Sequence, residues 1–215
     1  MDLALFDLDE TLICEDSASL WSRWLVSQGY APASLIEQER ALMARYSQGL
    51  LSVEEYMQAT LSPLAGMGTL TVSGWVRRFI QRDILPRVYP SARERVAWHQ
   101  QRGDRVIVVS GGGDHLAAPI AQQLGAHGAL AVGVEIVDDR YSGLTCGVAC
   151  SKAGRLMHWL AAQNPAQFDQ TWAYSDSVDD LPMLEQADRA TVINPAGPLH
   201  QLAQQRGWEI CRWVK

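Results

Sequence analysis

The chain has 215 residues, 47% apolar and 20% charged, the proportions of a globular protein with room for one core and a small accessory domain, not of a disordered segment. Its net charge of −6 argues against nucleic acid as a partner, because a phosphate backbone demands a basic surface, but leaves open a small phosphorylated ligand bound at a local positive site. The sequence has no apolar run long enough for a membrane span, no basic-then-apolar leader and no disulfide-like cysteine spacing, so the expectation is a cytoplasmic protein with free thiols. Cys146 and Cys150 lie close enough to suggest a metal pair, but no nearby His or Cys completes a zinc site.

Leu3 to Phe6 form an apolar run suited to a buried strand of a parallel sheet, stopping at Asp7 with Asp9 two positions on. Carboxylates at the end of a buried strand are costly unless a cation or donors meet them, and strand carboxyl ends are where open α/β sheets bind ligands. Asp16 or Ser17 can cap a first helix carrying Leu20, Trp21, Trp24 and Leu25. A second helix is predicted over 33–48, with Leu35, Ile36, Leu42, Met43 and Tyr46 on its apolar side. A third opens with the capping box Ser52 to Glu55, and a fourth spans about 71–84. Residues 16–85 therefore read as a helical insertion after the first strand, far longer than an ordinary connection.

From residue 86 the alternation of an α/β sheet returns. A helix over 91–102 precedes a buried strand, 106–109, which ends in Ser110-Gly111-Gly112-Gly113. A helix over 114–124, strands over 129–137 and 140–145 and a helix over 151–163 follow. Strands at 172–175, 191–193 and 209–213, with a helix near 198–206, complete the chain. The glycines allow close approach to a ligand, and their N–H groups suit an anion. Only two of the 18 basic residues are lysines, and Lys152 stands at a helix start, where a cation is electrostatically misplaced unless it meets an anion. Asp176, Asp179 and Asp180 crowd the end of another strand, where a cation would relieve their repulsion. Each feature alone also reads as an ordinary turn, loop or solvated charge.

In this order, DLDET at 7–11, SGG at 110–112, Lys152 and DSVDDLPML at 176–184 resemble the haloacid dehalogenase superfamily, in its phosphoserine-phosphatase-like branch. The resemblance implies a three-layer α/β core with a parallel sheet, formed by residues 1–15 and 86–215, and a helical cap of the small type at 16–85. It implies a magnesium-dependent phosphomonoesterase acting on a small phosphorylated metabolite. Asp7 would be the nucleophile, and Asp9 the acid and then the base. Thr11, Ser110, Gly111 and Lys152 would hold phosphate. Asp7, Asp9 and Asp176 would hold the metal, with Asp180 orienting a metal water or Lys152. Asp16 and Glu15 stand where the cap could meet a substrate amine. Three alternatives stay open: phosphoserine or histidinol phosphate as the specific substrate, transfer of the phosphoryl group to an alcohol, and a degenerate fold that only binds. Thr60 stands where phosphoserine phosphatases place an arginine clamp for the substrate carboxylate, with Gln58 nearby, and Ser175 stands where they place a glycine. Nothing in the sequence indicates an oligomeric state.

Overall fold

The structure is a computed structural model and describes residues 1–146, 151–164 and 167–215. Strand β1 (Leu3–Asp7) leads into helices α1 (Ser17–Ser27), α2 (Ser34–Ser47), α3 (Val53–Leu61) and α4 (Thr69–Phe79). Then come α5 (Pro90–Gln101), β2 (Arg105–Gly113), α6 (Asp114–Gln123), β3 (Gly128–Val132) and the strands β4 (Val134–Val137) and β5 (Arg140–Thr145). Last are α7 (Lys152–Ala161), β6 (Thr171–Ser175), α8 (Leu181–Gln186), β7 (Arg189–Ile193), α9 (Gly197–Arg206) and β8 (Glu209–Cys211).

All five residues of β1 are buried, and their side chains alternate between two cores. Ala4 and Phe6 face the helices α5 and α6, while Leu3 and Leu5 meet Leu156, Met183, Leu184 and Leu199 from α7, α8 and α9. A strand apolar on both faces belongs at the centre of a covered sheet. β1 lies there, in a six-stranded parallel sheet of order β3-β2-β1-β6-β7-β8. The order reverses direction at β1, which makes its carboxyl end the point where the chain leaves a crevice.

The four helices after β1 share the core of its Phe6 face. Trp21 stacks on Trp24 at 5.1 Å, Tyr30 on Trp75 at 4.1 Å, and Phe79 is fully buried beneath them. Asp16 caps α1 by accepting from the Ser19 amide at 2.7 Å, and the Ser52–Glu55 capping box closes in both directions. On α2 the expected apolar face is only half buried, and the one fully buried side chain is Glu39. The β4–β5 hairpin turns through Asp138 and Asp139, both left-handed at φ 48° and 59°, a conformation that short polar side chains tolerate. It grips the segment after α3: Gly66 N–H donates to the Tyr141 carbonyl at 2.8 Å, and Tyr141 N–H to that of Met67 at 2.9 Å.

Three sequence expectations change, and one element, the helix after Asp180, is added. The run 129–137 is two strands, since β3 pairs with β2 while β4 leaves the main sheet at Gly133 to pair with β5. The glycines 111–113 continue β2 through a register shift after Val109, instead of forming a loop. The apolar stretch after Asp180 is the helix α8, preceded by a single 3₁₀ turn at Val178–Asp180 and started by Pro182. The fourth insertion helix ends at Phe79 and continues as a π-helical turn, Ile80–Ile84. No helix among the described residues is long and apolar enough to cross a membrane.

Candidate active site

Strand register assembles the site. Asp7 pairs with Val109 of β2, and Phe6 with Tyr174 of β6, so Asp7 stands in one rank with the residues just before Ser110 and Asp176. All three are delivered to the carboxyl edge of the sheet. From the first turn of α7, Lys152 Nζ donates to Asp7 Oδ1 and, at 2.8 Å, to Asp180 Oδ2. Burial works against the ammonium, but Asp7 and Asp180 overcome it and hold its pKa above the ordinary lysine value. The misplaced lysine of the sequence is thus the cation of an acidic cluster. Ser151, capping α7 by accepting from Gly154 N–H at 3.1 Å, sets its entry.

The turn after β1 passes through Glu10 at φ 59° and returns Thr11 to the neighbouring strand. Thr11, which the resemblance assigns to phosphate holding, is fully buried and bonds Asp176, donating to Oδ1 and accepting from the Asp176 amide, each at 3.0 Å. Asp176 is pushed up to about 7 by burial and by Asp7. Asp180 is raised too, by burial and Asp7 against the pull of Lys152, and takes a further hydrogen bond from Ser175 Oγ at 2.6 Å. Ser175, the departure from the family glycine, therefore positions Asp180. Asp179 is exposed and takes no part in this cluster.

Asp9 Oδ1 accepts from the Ser17 amide at 2.7 Å, and burial, Asp16 and Asp7 together push Asp9 up to about 8. Asp9 shares a cavity of about 780 Å³, counting its open mouth, with Asp16, Ser110 and Gly111. Ser110 is buried and accepts from Gly112 N–H at 3.1 Å, while a Cβ added at Gly111 would meet nothing within 4 Å, so the space beside its Cα is open. Glu15 does not face the cavity: Arg87 at 2.7 Å and Arg23 at 2.8 Å engage it and lower its pKa. Gln58 bonds Glu54, whereas Thr60 does line the cavity.

Among the described residues no three His, Cys, Asp or Glu side chains form a metal cage of their own. A hard cation here would instead draw on the carboxylates of Asp7 and Asp176 and the main-chain oxygen of Asp9. That incomplete oxygen set, in a cluster whose acids outnumber its one lysine, would suit a hard divalent cation such as magnesium, which keeps several waters. Cys146 bonds the Val134 carbonyl through Sγ, and Cys150 lies outside the described residues.

Sequence reasoning did not single out Tyr56 or His115, which also line the cavity. Tyr56 lies on the inner face of α3, and His115 follows the glycines. Neither carries a motif, and their only signal was position.

The chain is 31% identical over 216 residues to a histidinol-phosphatase of Neisseria meningitidis serogroup C, covering 97% of each. It is 28% identical over 213 residues to a phosphoserine phosphatase of Mycobacterium tuberculosis, covering 96% of this chain and 69% of that one. A Bordetella pertussis protein of unknown function superposes with a TM-score of 0.89 at 34% identity, covering 97% of each chain. A substrate-bound phosphoserine phosphatase at 21% identity and a TM-score of 0.67 shares the fold, with 98% of this chain and 92% of that one covered. The profile of the haloacid dehalogenase-like hydrolases matches residues 4–185, from inside β1 to α8, a span that carries all four motifs and the residues they bring together. By that match, the chain belongs to the haloacid dehalogenase-like hydrolase family.

Proposed function

We propose that this hydrolase is a magnesium-dependent phosphomonoesterase that cleaves a small phosphorylated metabolite through an aspartyl-phosphate on Asp7. The observation that carries the reading is the Lys152 ammonium shared between Asp7 and Asp180, beside a second acid, Asp9, that burial keeps near neutrality.

With one oxygen held by Lys152, Asp7 is oriented to attack phosphorus with the other. Asp9, raised to about 8, carries a proton at neutral pH and donates it to the departing ester oxygen. The same carboxylate, now ionised, takes a proton from the water that hydrolyses the acyl-phosphate. Lys152, the Ser110 hydroxyl and the Gly111 amide surround the phosphoryl oxygens, and phosphoryl transfer depends mainly on such positioning and neutralisation. Asp7, Asp176 and the Asp9 main-chain oxygen would hold magnesium, which when bound would supply charge neutralisation there. Thr11 and Ser175 act through Asp176 and Asp180. Residues 16–85 form the cap that closes over the core of 1–15 and 86–215 and keeps bulk water out. The names of the relatives support a phosphatase, with phosphoserine and histidinol phosphate as the two substrates those names contain.

Asp7→Asn tests the reading. Turnover of p-nitrophenyl phosphate should fall by roughly a thousandfold or more, as removal of a covalent nucleophile does, with an unchanged circular-dichroism spectrum. A folded variant that retains near wild-type activity would overturn the assignment.

A further inference from the structure

The cavity beside Asp9 has walls that the reaction itself does not use. Asp16, Trp21, Tyr46, Tyr56, Met57 and His115 line it, and among the described residues no lysine or arginine does. Arg23, further along α1 from Asp16, and Arg87 are both turned onto Glu15. His115 adds no positive charge, since burial lowers it to about 4. Tyr46 and Tyr56 stack with ring centroids 4.8 Å apart, which gives a flat aromatic wall.

Two polar features stand out in this wall. Tyr56 is 6% exposed, and its buried hydroxyl has no hydrogen-bond partner among the described residues. An unmade hydrogen bond on a buried hydroxyl is costly and points to a group that arrives later. Among the described residues Asp16 accepts a hydrogen bond through Oδ1 alone, in capping α1, and its side chain lines the cavity. Behind the wall, Glu39 is buried with both carboxylate oxygens accepting from Ser19 Oγ at 3.1 Å.

We infer that the cavity receives the organic part of the ester and selects a leaving group with an ammonium and a flat aromatic body but no carboxylate, with Asp16 meeting the ammonium and Tyr56 bonding a ring heteroatom. This inference rests on the phosphomonoesterase reading above. A substrate carboxylate would enter a cavity that already holds acids and offers no guanidinium, a desolvation with nothing to offset it. An ammonium on an aromatic body instead gains a carboxylate, ring faces and apolar burial. This separates the two substrates named among the relatives on physical grounds, because only phosphoserine carries the carboxylate.

The test compares kcat/KM for histidinol phosphate, phenylalaninol phosphate, 3-phenylpropyl phosphate and O-phosphoserine, with p-nitrophenyl phosphate as the generic ester. Phenylalaninol phosphate should exceed 3-phenylpropyl phosphate, which lacks only the amine, by about tenfold or more, as a charge-assisted hydrogen bond would give. O-phosphoserine should rank below both amine-bearing aromatic esters. Asp16→Asn keeps an oxygen for the helix cap and drops the charge, so the amine-dependent ratio should fall toward one. Tyr56→Phe keeps the stack and should lower histidinol phosphate relative to phenylalaninol phosphate. An amine ratio near one in the wild type, a ratio unchanged in Asp16→Asn, a histidinol-to-phenylalaninol ratio unchanged in Tyr56→Phe, or O-phosphoserine as the preferred ester would each overturn the inference. Loss of all five activities in the wild-type protein would instead strike the phosphomonoesterase reading itself.

Discussion

Replacing Lys152 with methionine keeps the length of the side chain and removes its charge. In the native protein that ammonium bonds Asp7 and Asp180, whose side chains are 8% and 3% exposed, and it is the cation of a cluster that also holds Asp176. Breaking a buried pair by deleting one partner leaves an uncompensated charge and costs about 3–5 kcal/mol. For a chain of this size that corresponds to a fall in Tm of roughly 6–20 °C. The loss is not uniform in pH. Asp180 is already raised by burial and by Asp7, and without Lys152 nothing pulls it down, so the folded variant binds protons that the unfolded chain has released. A carboxylate whose folded pKa lies above its unfolded one contributes stability at low pH that is lost as pH rises, so the penalty should be small near pH ~5 and full near pH ~8. Urea denaturation of wild type and variant at those two values measures it. A penalty equal at both, or none at either, would refute the account, because lost packing alone has no reason to titrate. Activity should fall by about 10² or more, the loss expected when a donor to the transferring group is removed.

Chelation of divalent cations should silence p-nitrophenyl phosphate hydrolysis, and added Mg²⁺ should restore it; activity that survives exhaustive chelation would count against the metal role. Thr11→Val removes the hydroxyl that bonds Asp176 twice, so the magnesium concentration for half-maximal activity should rise by roughly tenfold, the scale on which outer partners tune metal sites. An unchanged magnesium dependence would detach Thr11 from the site. His99, fully buried between Asp104 and the Tyr174 hydroxyl at 2.9 Å each, is lowered by burial against the opposing pull of Asp104. A histidine held below its unfolded value of about 6.5 contributes stability that is complete above that pH and lost as pH falls, so the unfolding free energy should decline on acidification. A His99→Gln variant should show a flatter profile, and an identical slope in the two proteins would show that another group is responsible.

What could be read along the chain was whatever depends on neighbours in sequence. The apolar run of β1 ending at Asp7, the capping box at Ser52, the turn at Asp138-Asp139 and the lysine at the start of α7 are local patterns, and local physics reads them directly. The four motifs were legible because each is short and their order is specific. The helix α8 was not, since six residues hold too little periodicity to separate a buried helix from a strand or a loop. The path of the glycines was not legible either: whether 111–113 turn or extend depends on the partner β3, which is distant in sequence.

Partnership was the larger hidden quantity. Nothing local separates a threonine that holds phosphate from one that holds Asp176, or shows that Ser175 bonds Asp180 while Glu15 turns to arginines. The residues of the cavity wall, Tyr56 and His115, come from a helix of the insertion and the helix after β2, and only the tertiary fold brings them to one cavity. Sequence alone determined the chemistry available at the carboxyl edge of the sheet, because residue types and strand ends are set one position at a time. Tertiary structure decided which acids share the lysine and which hydroxyl is left without a partner, because hydrogen bonds and burial belong to pairs that the chain joins only by folding.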